Sequence, residues 1–209
     1  MKLLRLALTK GRLETKAIEM LERAGFDLRA LKKKSRKLIF SLPEDNLEIV
    51  LAKANDVIIY VEHGVCDIGI VGKDSIMESG KAFYEVMDLG FGKCRFILAG
   101  KKDTQLYEGY DKKVIATKYP NVASSFFDSK GIDVEIIRIE GSVELAPILK
   151  LSDAIVDIVE TGTTLKENGL VILEDIAPVS ARLIVNIASM KMKKAEIDTF
   201  IKKVGGAYA

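Results

Sequence analysis

The sequence contains few of the residues that build metal centres and acid–base catalysts. Its 209 residues include one histidine and two cysteines. Cys66 and Cys94 are isolated in apolar surroundings and lack the spacing of a metal site, so we expect reduced core thiols in a cytosolic protein. His63 lies at a predicted helix end without an evident catalytic partner. The sequence therefore indicates neither a thiolate metal centre nor a histidine base.

Long apolar runs and a strong net charge are also missing. No apolar run approaches the roughly 20 residues of a transmembrane helix, and no signal-peptide pattern precedes the first strand. The formal net charge is only +2, so no strong field attracts nucleic acid. The one basic run, residues 29–37, is more typical of a solvated loop than of a binding patch. We expect a cytoplasmic protein that binds neither membranes nor nucleic acid.

One segment, residues 153–170, contains the strongest functional pattern and reads DAIVDIVETGTTLKENGL. Residues 154–159 are mostly apolar and β-branched, which predicts a buried strand. Residues 165–168 are helix formers, and Gly169 stands where a helix C-cap is expected. Residues 160–164 form a glycine-containing turn between them. A strand, a turn and a helix N-terminus are thus predicted in direct succession.

The turn has the features of a phosphate-binding loop. Backbone N–H groups converge at a helix N-terminus, and the helix dipole adds partial positive charge. Thr161, Thr163 and Thr164 add hydroxyl donors, and Gly162 permits a ligand to approach the backbone closely. The same residues also suit a plain helix N-terminus capped by threonine. The T-G-T-T string alone leaves both interpretations open.

Two carboxylates accompany this loop, Asp157 within the strand and Glu160 at its end. A phosphate would repel both carboxylates, whereas ribose hydroxyls and a magnesium ion suit them beside a sugar phosphate. A phosphate loop next to acids that bind a sugar suggests a phosphoribosyl ligand.

A second glycine turn follows the first predicted strand, residues 3–8. Apolar residues at helical spacing in 13–24 come next, which gives the first half of a βαβ unit. Lys10 and Arg12 lie at the carboxyl end of that strand, where open α/β sheets bind ligands. Their side chains either bind a ligand or are solvent-exposed charges near a helix cap.

Strands alternate with short helices along the chain, which is typical of an α/β protein. We predict two lobes, 1–92 with 179–209 and 93–178, because Gly92 breaks the pattern and a later strand is expected to return to the first lobe. Periodicity alone does not distinguish this architecture from a flavodoxin-like sheet. The predicted strands are 3–8, 38–42, 47–52, 67–71, 84–89, 94–99, 114–117, 134–139, 154–159, 171–175 and 182–188.

Local signals place further helix and loop boundaries. Asn55 or Asp56 is expected to cap a helix that ends near residue 62. A helix is predicted to start near Val143, a loop at Pro178, and a terminal amphipathic helix over residues 193–204.

The segment from Glu144 to Leu170 resembles the signature region of the ATP phosphoribosyltransferases, the first enzymes of histidine biosynthesis. The strings K-G-R-L at 10–13, S-R-K-L-I-F at 35–40, Y-V-E-H-G at 60–64, D-I-G-I-V-G-K-D at 67–74 and S-A-R-L-I-V-N at 180–186 are similar to the same family. The matching signature residues are Glu144, Ser152, Ile155, Asp157, Ile158, Thr161, Gly162, Thr164, Leu165, Asn168, Gly169 and Leu170.

Three positions depart from the family pattern. Lys150 stands where the family usually has glycine, which loosens the turn before the strand. Lys53 stands where many relatives have arginine, and Ile58 where they have proline. Lysine keeps the charge but loses the guanidinium fork, so a bidentate phosphate contact at position 53 is in doubt.

The resemblance implies a fold like that of type II periplasmic binding proteins, with the active site in the cleft between the lobes. It implies that the phosphoribosyl group of phosphoribosyl pyrophosphate (PRPP) is transferred to N1 of the adenine of ATP, with Mg²⁺ required. The phosphoribosyl site is expected at Glu144, Asp157, Glu160, Thr161, Gly162, Thr163 and Thr164. ATP and pyrophosphate are expected at Lys10, Arg12, Arg36, Lys53, Asp74 and Tyr119, with Arg12, Arg36 and Asp157 as catalytic residues.

This reaction suits the residues present. Adenine N1 is a weak neutral nucleophile, so pyrophosphate departs ahead of attack and positive charge develops on the ribose. Catalysis then rests on positioning and electrostatic stabilisation, without a general base at N1. Mg²⁺ is expected to be held mainly by the pyrophosphate of PRPP.

The given sequence ends at Ala209, soon after the predicted terminal helix, whereas longer relatives continue into a histidine-binding domain. It is therefore similar to the short form of the family. That form implies a homodimer within a hetero-octamer, together with a regulatory subunit related to histidyl-tRNA synthetase.

Two other function classes share part of the pattern. A binding-only, two-lobed anion-binding protein is expected to have a signal peptide and to lack the acidic T-G-T-T loop. A phosphoribosyltransferase acting on another base would share the loop but not the K-G-R-L or S-R-K-L-I-F strings.

Overall fold

The computed structural model describes residues 2–32, 36–109 and 111–206. The chain divides into two compact units: unit 1 comprises Met1–Gly92 and Ser180–Ala209, and unit 2 comprises Lys93–Val179. The second crossing lies one residue later than the sequence-based boundary at 179.

Strands and helices alternate through both units, as the α/β pattern predicts. The strands are β1 Leu4–Thr9, β2 Ile39–Leu42, β3 Leu47–Ala52, β4 Ile68–Gly72, β5 Tyr84–Asp88, β6 Cys94–Gly100, β7 Lys113–Thr117, β8 Val134–Arg138, β9 Ala154–Val159, β10 Val171–Val179 and β11 Ala181–Val185. The helices are α1 Arg12–Arg23, α2 Arg29–Lys32, α3 Ala54–Glu62, α4 Lys73–Ser79, α5 Pro120–Ser129, α6 Leu145–Ile148, α7 Thr163–Glu167, α8 Ile187–Met192 and α9 Lys194–Gly206.

Unit 1 is built on a six-stranded sheet in the order β2-β3-β1-β4-β11-β5. β1 pairs in parallel with β3 and β4, whereas β2, β11 and β5 run antiparallel to their neighbours. β1 is therefore a central strand, which explains its continuous apolar sequence. The pairing of β11 with β4 confirms that the chain returns to the first unit after residue 179.

Helices cover both faces of this sheet. Leu6 and Leu8 of β1 pack in one apolar cluster with Leu21 of α1 and Phe200 of α9. Ala7 points to the opposite face and packs in a second cluster that includes Val57 of α3. Successive strand side chains alternate between faces, so both faces of β1 are buried.

Unit 2 contains a five-stranded sheet in the order β10-β6-β9-β7-β8. β7 pairs in parallel with β8 and β9, and β6 is antiparallel to both β9 and β10. Ile155 and Val159 of β9 pack in a core cluster with Ala146 of α6 and Leu165 of α7. This cluster positions α6 and α7 on the same face of β9.

Two strand predictions were wrong by more than one residue at their ends. β10 continues through Pro178 to Val179, where a loop was predicted, because β10 lies at the edge of the sheet and the missing N–H costs no ladder bond there. β11 stops at Val185 instead of residue 188, because the Asn186 side chain accepts a hydrogen bond from Ser189 N (2.9 Å) and caps α8.

Two helix predictions also needed correction. The N-cap position of α3 is Lys53, not Asn55 or Asp56, and no side chain caps it. The helix predicted from near Val143 is a single turn that begins at Leu145. Tertiary packing of Val143 into the core, rather than helical continuity, accounts for the apolar residue there.

Several remaining predictions concern isolated residues. Cys66 is fully buried and Cys94 only half-buried, and neither forms a disulfide. In the basic run 29–37, Arg29 is paired with Asp27 (2.5 Å), while residues 33–35, the last of which begins the S-R-K-L-I-F string, lie outside the described ranges. Within those ranges, no helix is both long enough and apolar enough to cross a membrane.

Candidate functional site

The T-G-T-T turn follows β9 directly and leads into α7. Gly162 has a φ of +78°, in the left-handed region that glycine adopts without strain. A Cβ added there would meet only Ile172 Cδ1, at 3.8 Å, so the backbone conformation and not the available space requires glycine. The Gly162 carbonyl accepts a hydrogen bond from Lys166 N at 3.2 Å, which fixes the start of α7.

The three threonines of this turn present their hydroxyl groups at the surface. Thr161, Thr163 and Thr164 are exposed, and Thr161 Oγ1 lies 3.0 Å from Thr163 Oγ1. Thr163 N donates a long hydrogen bond of 3.4 Å to Thr161 Oγ1. α7 has only five residues, so its dipole adds less than a full-length helix and the convergent hydroxyl and N–H donors contribute most.

Asp157 is the half-buried acid in β9. It lies on the same face of β9 as Ile155 and Val159, both of which are in the unit 2 core. Burial raises the pKa of Asp157 to about 6, although a hydrogen bond from Ile158 N (2.8 Å) opposes the shift. The Glu144 carboxylate raises the pKa further and the Lys118 ammonium lowers it. Asp157 is therefore poised to respond to charge on a ligand.

The other candidate site residues of unit 2 lie around β9 and differ in how far they are buried. Glu144 is half-buried immediately before α6, near enough to Asp157 to influence its charge. Glu160 is exposed at the end of β9. Tyr119 is only 8% exposed, and its ring packs edge-on against Phe96 at 4.9 Å. The structure thus brings Glu144 close to Asp157, whereas the buried ring of Tyr119 contributes to the core.

Sequence reasoning missed Lys118. It follows β7, which pairs with β9, and its charge lowers the pKa of Asp157. Its position at the carboxyl end of a parallel strand was the available signal, because charged residues there face the ligand edge of an α/β sheet.

The unit 1 candidates lie at one edge of their sheet. Lys10 follows β1, Lys53 follows β3 and Asp74 is the second residue of α4, the helix after β4, so all three stand at the carboxyl ends of neighbouring parallel strands. A hydrogen bond from Lys10 N to Ala52 O (2.8 Å) joins the first two turns. Open α/β sheets bind ligands at this edge.

Two arginines complete this edge. Arg12 is the first residue of α1 and is exposed. Gly11, with a φ of +96°, directs the chain into that helix, and its N–H donates to the Glu14 carboxylate (3.1 Å). Arg36 is exposed and precedes β2, whose antiparallel register with β3 places it near the end of β3.

A divalent metal finds few protein ligands of its own in the described part of the chain. No group of three or more histidine, cysteine or carboxylate side chains converges there. Glu144 and Asp157 are the carboxylates that lie together in unit 2. This donor set fits a Mg²⁺ ion that takes most of its ligands from substrate oxygens and water.

Comparisons with known proteins extend the pattern over the whole chain. A family model described as HisG, ATP phosphoribosyltransferase, matches residues 53–206. A Clostridium kluyveri protein named ATP phosphoribosyltransferase is 65% identical over 201 residues, which cover 96% of this chain and 92% of that protein. This chain belongs to the ATP phosphoribosyltransferase family. The resemblance of the signature region to that family is confirmed.

Other family members agree in length and fold. A Clostridium acetobutylicum protein of the same name is 62% identical over 97% of this chain and 94% of its own length. A solved structure described as the ATP phosphoribosyl transferase (HisG:HisZ) complex from Thermotoga maritima is 37% identical and has a TM-score of 0.84, with 98% of each chain covered. The predicted two-unit α/β fold of this family is thereby confirmed.

Proposed function

We propose that this chain is the catalytic subunit of an ATP phosphoribosyltransferase, which joins the phosphoribosyl group of PRPP to N1 of the adenine of ATP and releases pyrophosphate. This is the first step of histidine biosynthesis. The observation that carries the proposal is the loop after β9, where the hydroxyl groups of Thr161 and Thr163 converge beside a left-handed Gly162 in a chain that belongs to this family.

The loop is assigned the 5′-phosphate of PRPP. The exposed hydroxyls of Thr161, Thr163 and Thr164 offer donors, and the long bond from Thr163 N is weak enough to be exchanged for a phosphate oxygen. Gly162 presents its backbone without a side chain. Charge-assisted hydrogen bonds to a phosphate are stronger than the neutral contacts that they replace.

The ribose of PRPP is assigned to three carboxylates, those of Asp157, Glu160 and Glu144. Positive charge develops on the sugar as pyrophosphate departs, and a carboxylate beside it gains stabilisation in that state. The pKa of Asp157, about 6 because of burial, means that the ionised form is poorly solvated before the sugar arrives. A cationic sugar favours this ionised form, so the interaction is strongest in the transition state.

The unit 1 edge is assigned ATP and pyrophosphate. Lys10, Arg12, Lys53 and Arg36 supply positive charge for the phosphates, and Arg12 and Arg36 are assigned to the developing charge of the leaving group. Asp74 belongs to the proposed ATP-binding set. Tyr119 stays a sequence-based prediction for that set, because its ring is buried in the unit 2 core. Mg²⁺ bound mainly through the pyrophosphate of PRPP supplies charge neutralisation, with Glu144 and Asp157 as the available protein carboxylates.

We further propose a homodimer that joins a regulatory subunit resembling histidyl-tRNA synthetase in a cytoplasmic hetero-octamer. The support is the likeness to the Thermotoga maritima structure, whose description is a HisG:HisZ complex. The regulatory partner would control activity and feedback by histidine.

The decisive experiment is an ultraviolet assay of the purified chain with ATP, PRPP, Mg²⁺ and pyrophosphatase. Alkylation at adenine N1 alters the chromophore, so product formation changes the absorbance directly. We expect a signal that requires both substrates, from this chain alone or after addition of the regulatory subunit. No signal in either sample, with correctly folded protein, would refute the assignment. A signal with another base in place of ATP would redirect it to a different phosphoribosyltransferase.

A further inference from the structure

A pocket of about 450 Å³ opens in unit 2 away from the T-G-T-T loop. It is lined by the turn after β6, the start of β7 and the turn before β9, including Lys101, Lys113 and Lys150. β7 and β9 are parallel, so this pocket lies at their amino-terminal edge. The six residues of β9 place it about 20 Å from the loop. It is therefore separate from the proposed phosphoribosyl site.

Lysines outnumber carboxylates in the lining of this pocket, three to two. Within the described ranges, the ammonium groups of Lys101, Lys113 and Lys150 form no ion pair, whereas the neighbouring Lys112 is paired with Asp133 at 3.2 Å. Like charges around one cavity repel each other unless an anion is present. The arrangement favours a negatively charged ligand.

Ser152 gives a second, independent indication of a ligand. It lines the pocket and is only 9% exposed, yet its Oγ has no hydrogen-bond partner in the described part of the chain. Buried hydroxyl groups are normally paired, because an unpaired one loses its hydration without compensation. Ser152 also belongs to the signature region, although the proposed reaction assigns it no role.

Lys150 provides a third observation. Its φ is +61°, a left-handed conformation that is strained for lysine and suited to glycine. The strained residue lies in the lining of the pocket. A lysine whose strained backbone places its charge at a pocket is consistent with a binding role.

Carboxylate and amide side chains in the same pocket restrict which anions it can bind. Asp153 lines the pocket, and its Oδ2 accepts a hydrogen bond from Val114 N at 2.8 Å, which fixes the carboxylate. Asp103 and Gln105 also line it. Carboxylates repel a bare anion but accept hydrogen bonds from hydroxyl groups, and the volume is within the range of small-molecule sites.

We propose that this pocket is a second ligand site, specific for a small sugar phosphate. The phosphate contacts Lys101, Lys113, Lys150 and the Ser152 hydroxyl, and the sugar hydroxyls contact Asp103 and Asp153. This site does not depend on the function proposed for the T-G-T-T loop.

The test uses backbone amide NMR spectra of the full-length protein during titration with inorganic phosphate and, separately, ribose 5-phosphate. Sodium chloride at equal ionic strength controls for screening. We expect the amides of residues 113–114 and 150–153 to shift in a saturable way, with tighter binding of ribose 5-phosphate than of phosphate. Shifts at residues 161–164 report the other loop separately. Shifts confined to 161–164 would overturn the second site without affecting the proposed function.

Variants test which residues form the site. The double variant Lys113→Gln, Lys150→Asn removes two charges, and asparagine tolerates the left-handed conformation. It should weaken binding reported by residues 150–153 about tenfold, while Lys112→Gln leaves it unchanged. Ser152→Ala removes an unpaired buried hydroxyl, so folding stability should not fall although binding weakens. Wild-type affinity in both pocket variants would refute the proposal, and equal affinity for phosphate and ribose 5-phosphate would refute its sugar component.

Discussion

At the scale of single residues, Asp157 shows how burial adapts a side chain for electrostatic work. Its position between Ile155 and Val159 on the core face of β9 removes solvent from the carboxylate. A carboxylate in that position is destabilised in the folded protein until a cationic group approaches it. The carboxylate that we propose for the ribose therefore reduces folding stability when it is ionised.

Replacement of Asp157 with asparagine should stabilise the fold and impair the enzyme. The folded pKa of about 6 lies above the ordinary value of 3.8, so the ionised carboxylate destabilises the fold fully above about pH 6 and progressively less as the pH falls toward 4. We expect Asp157→Asn to raise the free energy of unfolding by about 2 kcal/mol near pH 8, with a smaller gain near pH 4. Activity should fall about 100-fold or more.

Denaturant unfolding at both pH values measures the stability, and asparagine can still accept the bond from Ile158 N. Glu167→Gln is the matched control, because Glu167 is exposed on α7 and its neutralisation should leave unfolding unchanged. A stability gain that is equal at the two pH values would contradict this account.

Arg36 tests the assignment of the unit 1 edge. Its exposed side chain makes no contribution to the apolar core, so Arg36→Ala should leave thermal unfolding unchanged. If it stabilises the departing pyrophosphate, kcat/KM should fall by about 100-fold. Arg29→Ala, an exposed arginine of the same basic run that is paired with Asp27, is the control and should retain normal turnover. Near-normal turnover of Arg36→Ala would remove Arg36 from the catalytic set.

Lys150 allows a direct measurement of backbone strain. Glycine adopts a φ near +61° without the Cβ clash that lysine suffers. Lys150→Gly should therefore raise the free energy of unfolding by about 1 kcal/mol, as measured in denaturant. The same replacement at the exposed helical residue Lys166 of α7 should lower it by a comparable amount. A loss of stability at position 150 would show that the lysine side chain compensates for its conformation.

At the scale of elements, Asn186 joins the ends of two helices. Its side-chain oxygen accepts from Ser189 N at the start of α8. Its amide donates to Val61 O (2.7 Å) and Glu62 O (3.1 Å) in the last turn of α3. The residue is 6% exposed, so loss of the side chain leaves buried partners unpaired.

We expect Asn186→Ala to lower the free energy of unfolding by about 2–4 kcal/mol. Asn168→Ala is the comparison, because the Asn168 amide donates to Thr164 O at 2.8 Å but is exposed. Chemical denaturation followed by circular dichroism distinguishes the two. Equal losses for both variants would mean that burial of the Asn186 bonds contributes nothing.

Tertiary contacts, which local sequence patterns do not reveal, determined where several strands end. The apolar run of residues 182–188 predicted a longer strand than β11, which stops at the Asn186 cap. Pro178 signals a loop in isolation, yet it is accommodated in β10 because that strand lies at the sheet edge. By contrast, β9 has the predicted bounds, because its apolar β-branched residues and flanking glycine turn agree with one another.

At the scale of the whole molecule, the two units differ in how the chain builds them. Unit 2 is one continuous segment, Lys93–Val179, with its own sheet and core, whereas unit 1 needs β11, α8 and α9 from after residue 180. β11 lies between β4 and β5, and Phe200 and Val204 of α9 pack in the unit 1 core. Unit 1 therefore cannot be completed by the first 92 residues.

We expect a fragment of residues 93–179 to fold alone and residues 1–92 alone to remain unfolded. The continuous unit retains its strand pairs, whereas the truncated unit loses the strand between β4 and β5 and part of its apolar core. Cooperative thermal unfolding and dispersed amide NMR signals would identify the folded fragment. A noncooperative fragment 93–179 would show that unit 2 depends on unit 1 for stability.

Local sequence patterns predicted the eleven strands, the glycine turn at residue 162 and the family. These features depend on local periodicity, on backbone conformations special to glycine and on a contiguous signature. The tertiary structure decided which strands are neighbours, how deeply Asp157 is buried and that Lys118 influences it. It also brought together lysines 101, 113 and 150 around one pocket. Burial and charge proximity depend on residues distant in the chain, so only the packed fold could establish them.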